Sequence, residues 1–69
     1  MVSTLRKLIE GIGITEERFM VWVRAFKYVS SPVKSIQEMV EITPKKTKYL
    51  ADNFQNYVPA ILAKPEGGQ

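Results

Sequence analysis

Apolar residues recur along this chain at helical spacing, in runs separated by glycine, proline and serine. Leu5, Leu8 and Ile9 occupy the i, i+3, i+4 positions of one helical face. Ser3 or Thr4 stands ahead of them to accept from free backbone N–H groups, and Gly11 and Gly13 follow, glycine being the residue that closes a helix in the left-handed conformation. The pattern predicts a first helix over residues 3–10, with Ile12 and Ile14 tucked against the core. Thr15 followed by Glu16 and Glu17 opens a second helix, its hydroxyl capping and its two carboxylates facing the positive end of the helix dipole. Phe19, Met20, Trp22, Val23, Phe26 and Val29 make its apolar face too wide for a surface helix, so this is the central one.

Pro32 breaks the run. Ser35 and Glu38 then form a capping-box pattern, each side chain predicted to take the other residue's backbone N–H, ahead of the short apolar set Ile36, Met39 and Val40. Because Pro44 fits only the first turn of a helix, this third helix stops near Glu41. Thr43 caps a fourth helix over about residues 44–57, with Pro44 at its first position. Thr47, Leu50, Ala51, Phe54 and Val58 face inward, and Lys45, Lys48, Tyr49, Asp52 and Asn56 face outward. Pro59 interrupts or kinks that helix, after which Ile61 and Leu62 return to the core as a short final turn. Residues 64–69 have nothing to bury and read as a disordered tail. The fold class expected is all-α: one compact four-helix domain over residues 1–63.

Composition narrows the function. A chain of 69 residues makes one domain, which buries only about 60% of its unfolded surface and leaves little room for an enclosed active site. It has no cysteine and no histidine, which removes thiolate chemistry and the commonest general base and metal ligand. Glu16, Glu17, Glu38 and Glu41 stand where helix starts and surfaces normally carry acids, so the chain reads as a non-enzyme with no cofactor and no metal. The absence of disulfides fits a reducing cytoplasm, and no segment approaches the ~20 apolar residues of a membrane span. The helical spacing of Phe19, Trp22 and Phe26 makes them core rather than a stacking platform for single strands.

The net charge is +3 and the isoelectric point about 9.4. Its placement matters more, because Lys45, Lys46 and Lys48 follow one another with no acid between Thr43 and Tyr49. Cations at a helix N-terminus oppose the dipole, and that conflict is relieved if an anion is the intended neighbour: the ammonium groups and the free N–H groups of the first turn would converge on a phosphate.

A short capped helix, a sharp turn and a longer helix with a polar outer face make a helix-turn-helix unit. "SIQEMVEITPKKTKYLADNF" resembles that unit in bacterial and archaeal transcription regulators, and locally the LuxR-type pattern. Ile36 and Val40 match the apolar positions of its first helix, Ile42 the apolar residue of the turn, Thr43 the cap, Pro44 and Lys45 the opening of the recognition helix, and Leu50 its anchor. Gln37 replaces the usual small alanine at the helix crossing, and Glu41 replaces a glycine in the turn. With no β-hairpin signal after the fourth helix, the unit is expected to be wingless.

The resemblance implies a small transcription regulator that binds double-stranded DNA through residues 44–57. Lys45, Lys46 and Lys48 would neutralise phosphates, Thr43 and the helix start would fix the register, and Tyr49 with Lys45 or Lys48 would supply base readout; Lys34, Asp52 and Asn53 complete the expected DNA-binding set, Asn53 lying beyond the first two turns from which bases are usually reached. One module offers a small interface, so a homodimer reading two half-sites is expected, with the first helix as the spare surface. The alternative is a protein-interaction module docking through the fourth helix and the C-terminal segment. Positive charge continuous from the fourth helix to Lys34 and Arg24 would favour DNA, and an exposed patch of Tyr49, Tyr57, Ile61 and Leu62 would favour a protein partner.

Overall fold

A computed structural model describes residues 1–26, 29–30 and 32–63, and among these the chain is all-helical, with five helices and no strand. They are α1 (Val2–Gly11), α2 (Glu16–Ala25), α3 (Ile36–Ile42), α4 (Pro44–Asp52) and α5 (Phe54–Ala63). α1 packs against α2 and α3, α3 against α4, and α4 against α5. The expected tail, residues 64–69, lies outside the described residues.

α1 starts one residue before the expected span. Neither Ser3 nor Thr4 caps it, because the helix is already under way at both; its N-cap is Met1, with no side-chain bond. Its end follows the glycine signal. Gly13 takes φ +78°, its N–H donates to Glu10 O at 3.0 Å, and Ile14 N–H donates back to Ile9 O at 3.1 Å. These two bonds, with Ile9 and Ile14 both buried, complete a Schellman closure.

Thr15 caps α2 as expected, its Oγ1 accepting from Arg18 N at 3.0 Å. Phe19, Met20, Trp22 and Val23 are buried, and so is Val29 in the segment beyond. Phe26 departs from the expectation at 59% exposed. α2 ends at Ala25, so Phe26 is its C-cap rather than part of another buried turn, and its ring lies on Trp22 at 5.3 Å between centroids.

Ser35 caps α3, accepting from Glu38 N at 3.2 Å, but the reciprocal half of the capping box is displaced by one residue: Glu38 Oε1 accepts from Lys34 N at 2.9 Å. The expected fourth helix is two helices. The break falls at Asn53 and not at Pro59: Asn53 is the C-cap of α4, its side-chain Nδ2 donates to Tyr49 O at 2.9 Å, and its carbonyl accepts from Asn56 N at 2.9 Å in a tighter i, i+3 turn. Such local side-chain bonding competes with helix continuation. Pro59 sits inside α5, where the bond it cannot make belongs to the carbonyl of exposed Gln55. Ile61 is buried as expected, while Leu62 remains 46% exposed.

Leu5, Phe19, Val23, Ile36 and Leu50 are fully buried at the centre, and every helix contributes to that core. The radius of gyration is 10.9 Å, close to the ~11 Å of a compact chain of this length.

Candidate nucleic-acid interface

The joint between α3 and α4 is a single residue. Thr43 is at once the C-cap of α3 and the N-cap of α4, with φ −131° and ψ 65°. The resemblance placed Ile42 in a turn as its apolar residue. Instead Ile42 is the last residue of α3 and 60% exposed, because a one-residue joint offers no turn for it to fold beneath.

The Thr43 hydroxyl does not cap α4, contrary to the sequence reading. It donates to Met39 O at 2.9 Å, back across the joint, and Thr43 N–H donates to the same carbonyl at 2.8 Å. Met39 O, already the acceptor of the i, i−4 backbone bond that ends α3, thus takes the hydroxyl as a second donor. Thr47 completes the joint from within α4. It is fully buried, with Oγ1 2.7 Å from Thr43 O and 3.2 Å from Met39 O. Leu50, also fully buried, anchors the same face of α4.

This arrangement leaves the start of α4 open. The first backbone bond of the helix is Thr47 N–H to Thr43 O at 2.9 Å, so the N–H groups of Lys45 and Lys46 precede it, and no side chain caps them. The first turn contains no acid. Lys45, Lys46, Lys48 and Tyr49 are exposed, and Lys45 and Tyr49, four residues apart, stand near the middle of the side opposite Thr47 and Leu50. Lys48 is paired with Asp52 at 2.8 Å along the helix, in an exposed i, i+4 bridge of the kind that contributes little to stability.

Other expected site residues are placed apart or held. Lys34 is exposed but precedes α3, so the helix, seven residues and about 10 Å long, separates it from the α4 cluster. Asn53 is half-buried with its amide donated to Tyr49 O. Arg24 is half-buried and donates to Val33 O at 2.7 Å, so it does not extend the lysine surface. The apolar patch that would favour a protein partner does not assemble either. Ile61 is buried and Tyr57 half-buried with its ring edge-on to Trp22 at 5.9 Å, which leaves Tyr49 and Leu62 exposed on separate helices.

One residue that orients this unit is not evident from the sequence. Glu16 Oε2 accepts from Ile36 N, the first amide of α3, at 2.9 Å, while Oε1 accepts from Arg6 Nε at 3.1 Å. A carboxylate at the start of α2 thereby ties α1 to the start of α3. Its sequence signal was that of a helix-start acid, and nothing local reveals a partner twenty residues away.

Among the described residues no group of three Asp or Glu is placed to hold a metal ion, and no helix is long and apolar enough to cross a membrane. No family model, curated protein or solved structure matches the chain.

Proposed function

We propose that this protein binds duplex DNA through the α3–α4 unit, as a small regulator of the helix-turn-helix kind, with α4 laid into the major groove. The observation that carries the reading is the uncapped start of α4. A threonine at the N-cap would ordinarily bond the N–H of the second or third residue. Here it bonds Met39 O instead, leaving two amide donors open beside Lys45 and Lys46 in a turn with no acid. Donors and cations together make an anion the fitting neighbour, and a DNA phosphate supplies one.

In this reading Lys45 and Lys46 neutralise phosphates, Tyr49 faces base edges or a thymine methyl, and the Lys48–Asp52 pair lies at the side of the groove. Thr43 sets the register through its place in the joint.

A polarisation titration on random-sequence duplex at several salt concentrations tests the reading. Log K should fall linearly with log[salt], with a slope of about 0.9 per phosphate neutralised. Lys46→Ala should weaken binding to all duplexes alike and reduce the slope by about one, while Tyr49→Ala should cost about 1–3 kcal/mol on a selected sequence. Folded variants that bind as the parent does, or a parent that does not bind at low salt, would sink the reading.

A further inference from the structure

α4 carries its charges against its own dipole at both ends. Lys45 and Lys46 stand in the first turn, where cations are disfavoured, and Asp52, the last residue of the helix and its only acid, stands where carboxylates are disfavoured. Asp52 Oδ2 accepts from Lys48 Nζ at 2.8 Å, and both side chains are exposed. A lysine four residues ahead of an acid is the poorer order for such a pair in a helix, so helix stability does not account for the arrangement.

We infer that Asp52 withholds Lys48 from the phosphate backbone, so that α4 grips duplex DNA through Lys45 and Lys46 and not through three lysines. The inference rests on the DNA-binding reading and concerns what sets the strength of that grip. Lys48 alone would be a third cation on the exposed side of α4. Bonded to Asp52 it belongs to a neutral pair: a phosphate that approaches the ammonium also approaches the carboxylate beside it, and attraction and repulsion nearly cancel. Lys45 and Lys46 have no such neighbour, because no acid shares their turn and Asp52 lies seven residues beyond Lys45, about 10 Å along the axis.

The consequence falls on sequence-independent binding. Each phosphate neutralised adds the same attraction on every duplex, whereas base contacts act only on the right sequence. A third phosphate contact would hold the protein more tightly on random DNA without helping it to discriminate. Asp52 keeps that common part small. Placed at the C-terminal end of α4, it also keeps that end off the backbone, so the end that meets a phosphate is the one with open amides.

Polarisation titrations of the whole chain on one random-sequence duplex, at several salt concentrations, compare the parent with Asp52→Asn and with the double variant Lys48→Ala/Asp52→Asn. Freed of its carboxylate, Lys48 should reach a phosphate: Asp52→Asn should bind about fivefold more tightly at low salt and steepen the fall of log K with log[salt] by about 0.9. The double variant replaces a neutral pair with two neutral side chains, and should keep the parent's slope and its affinity within about twofold. Glu10→Gln makes the same charge change on the exposed side of α1 and should leave the slope unchanged. All three positions are exposed, so the melting curves should coincide with the parent's. An Asp52→Asn slope equal to the parent's overturns the inference. So does a double variant whose slope falls by about 0.9, which would place Lys48 on a phosphate already, and so does a Glu10→Gln slope that steepens as much as that of Asp52→Asn. Each of these outcomes has a parent that binds and leaves the DNA reading standing; a parent that does not bind at low salt sinks that reading and this inference with it.

Discussion

Gly13 is held at φ +78°, yet a Cβ built there would meet nothing within 4 Å. Its requirement is therefore conformational rather than spatial, and Gly13→Ala should destabilise the fold by about 1–2 kcal/mol. Gly11 has equal room and helical geometry, so Gly11→Ala should be neutral or stabilising by up to about 1 kcal/mol. Thermal melts of the two variants would check the pair, and equal losses would contradict the account. Trp22, 4% exposed against the rings of Phe19, Phe26 and Tyr57, should emit to the blue of free tryptophan, and a red emission maximum in the folded protein would contradict its placement. At this scale the sequence was informative wherever one residue type answers one backbone need, as at Gly13, Thr15 and Pro44. Phe26 was misread because apolar spacing extends α2 beyond its actual end, and spacing carries no signal of where the neighbouring helices stop.

Between elements, the bond from Ile36 N to Glu16 joins the start of α3 to the start of α2. Glu16→Ala removes the acceptor for that first amide and should cost about 1–2 kcal/mol, in the range of a lost N-cap. Arg6→Ala removes only the exposed ion pair and should change stability by less than about 1 kcal/mol. Urea denaturation distinguishes them, and comparable losses would mean that the ion pair, not the amide bond, is what matters. The existence and order of the helices were legible in the sequence. The division of the expected fourth helix was not, since Thr47, Leu50, Ala51, Phe54 and Val58 keep helical period through Asn53. A proline is the stronger breaker on propensity, yet the chain breaks where an amide side chain reaches the carbonyl four residues back.

For the whole molecule, folding and binding should separate in mutants of one helix. Leu50 is fully buried, and Leu50→Ala should cost about 2–5 kcal/mol, a large share of the 5–15 kcal/mol that stabilises a typical domain. Lys46→Ala, on the exposed side, should leave the melting curve within about 0.5 kcal/mol of the parent. A Lys46 variant that melts early would show that the lysine supports the fold, and its binding loss could not then be assigned to phosphate contact.

The sequence by itself determined the all-α class, most of the buried positions of the helices, the caps at Thr15 and Ser35, a glycine closure of α1 at Gly11 and Gly13, and the lysine run at the start of α4. Each follows from forces acting within a turn or two: backbone conformational preference, the unmet donors and acceptors of helix ends, and the period of apolar residues. Only the tertiary structure decided that Glu16 would hold the first amide of α3 and that Ile42 would face solvent. Those outcomes depend on which groups packing brings within hydrogen-bond reach. A polar side chain with a local and a distant partner available bonds whichever the assembled core presents, and local sequence does not encode that proximity.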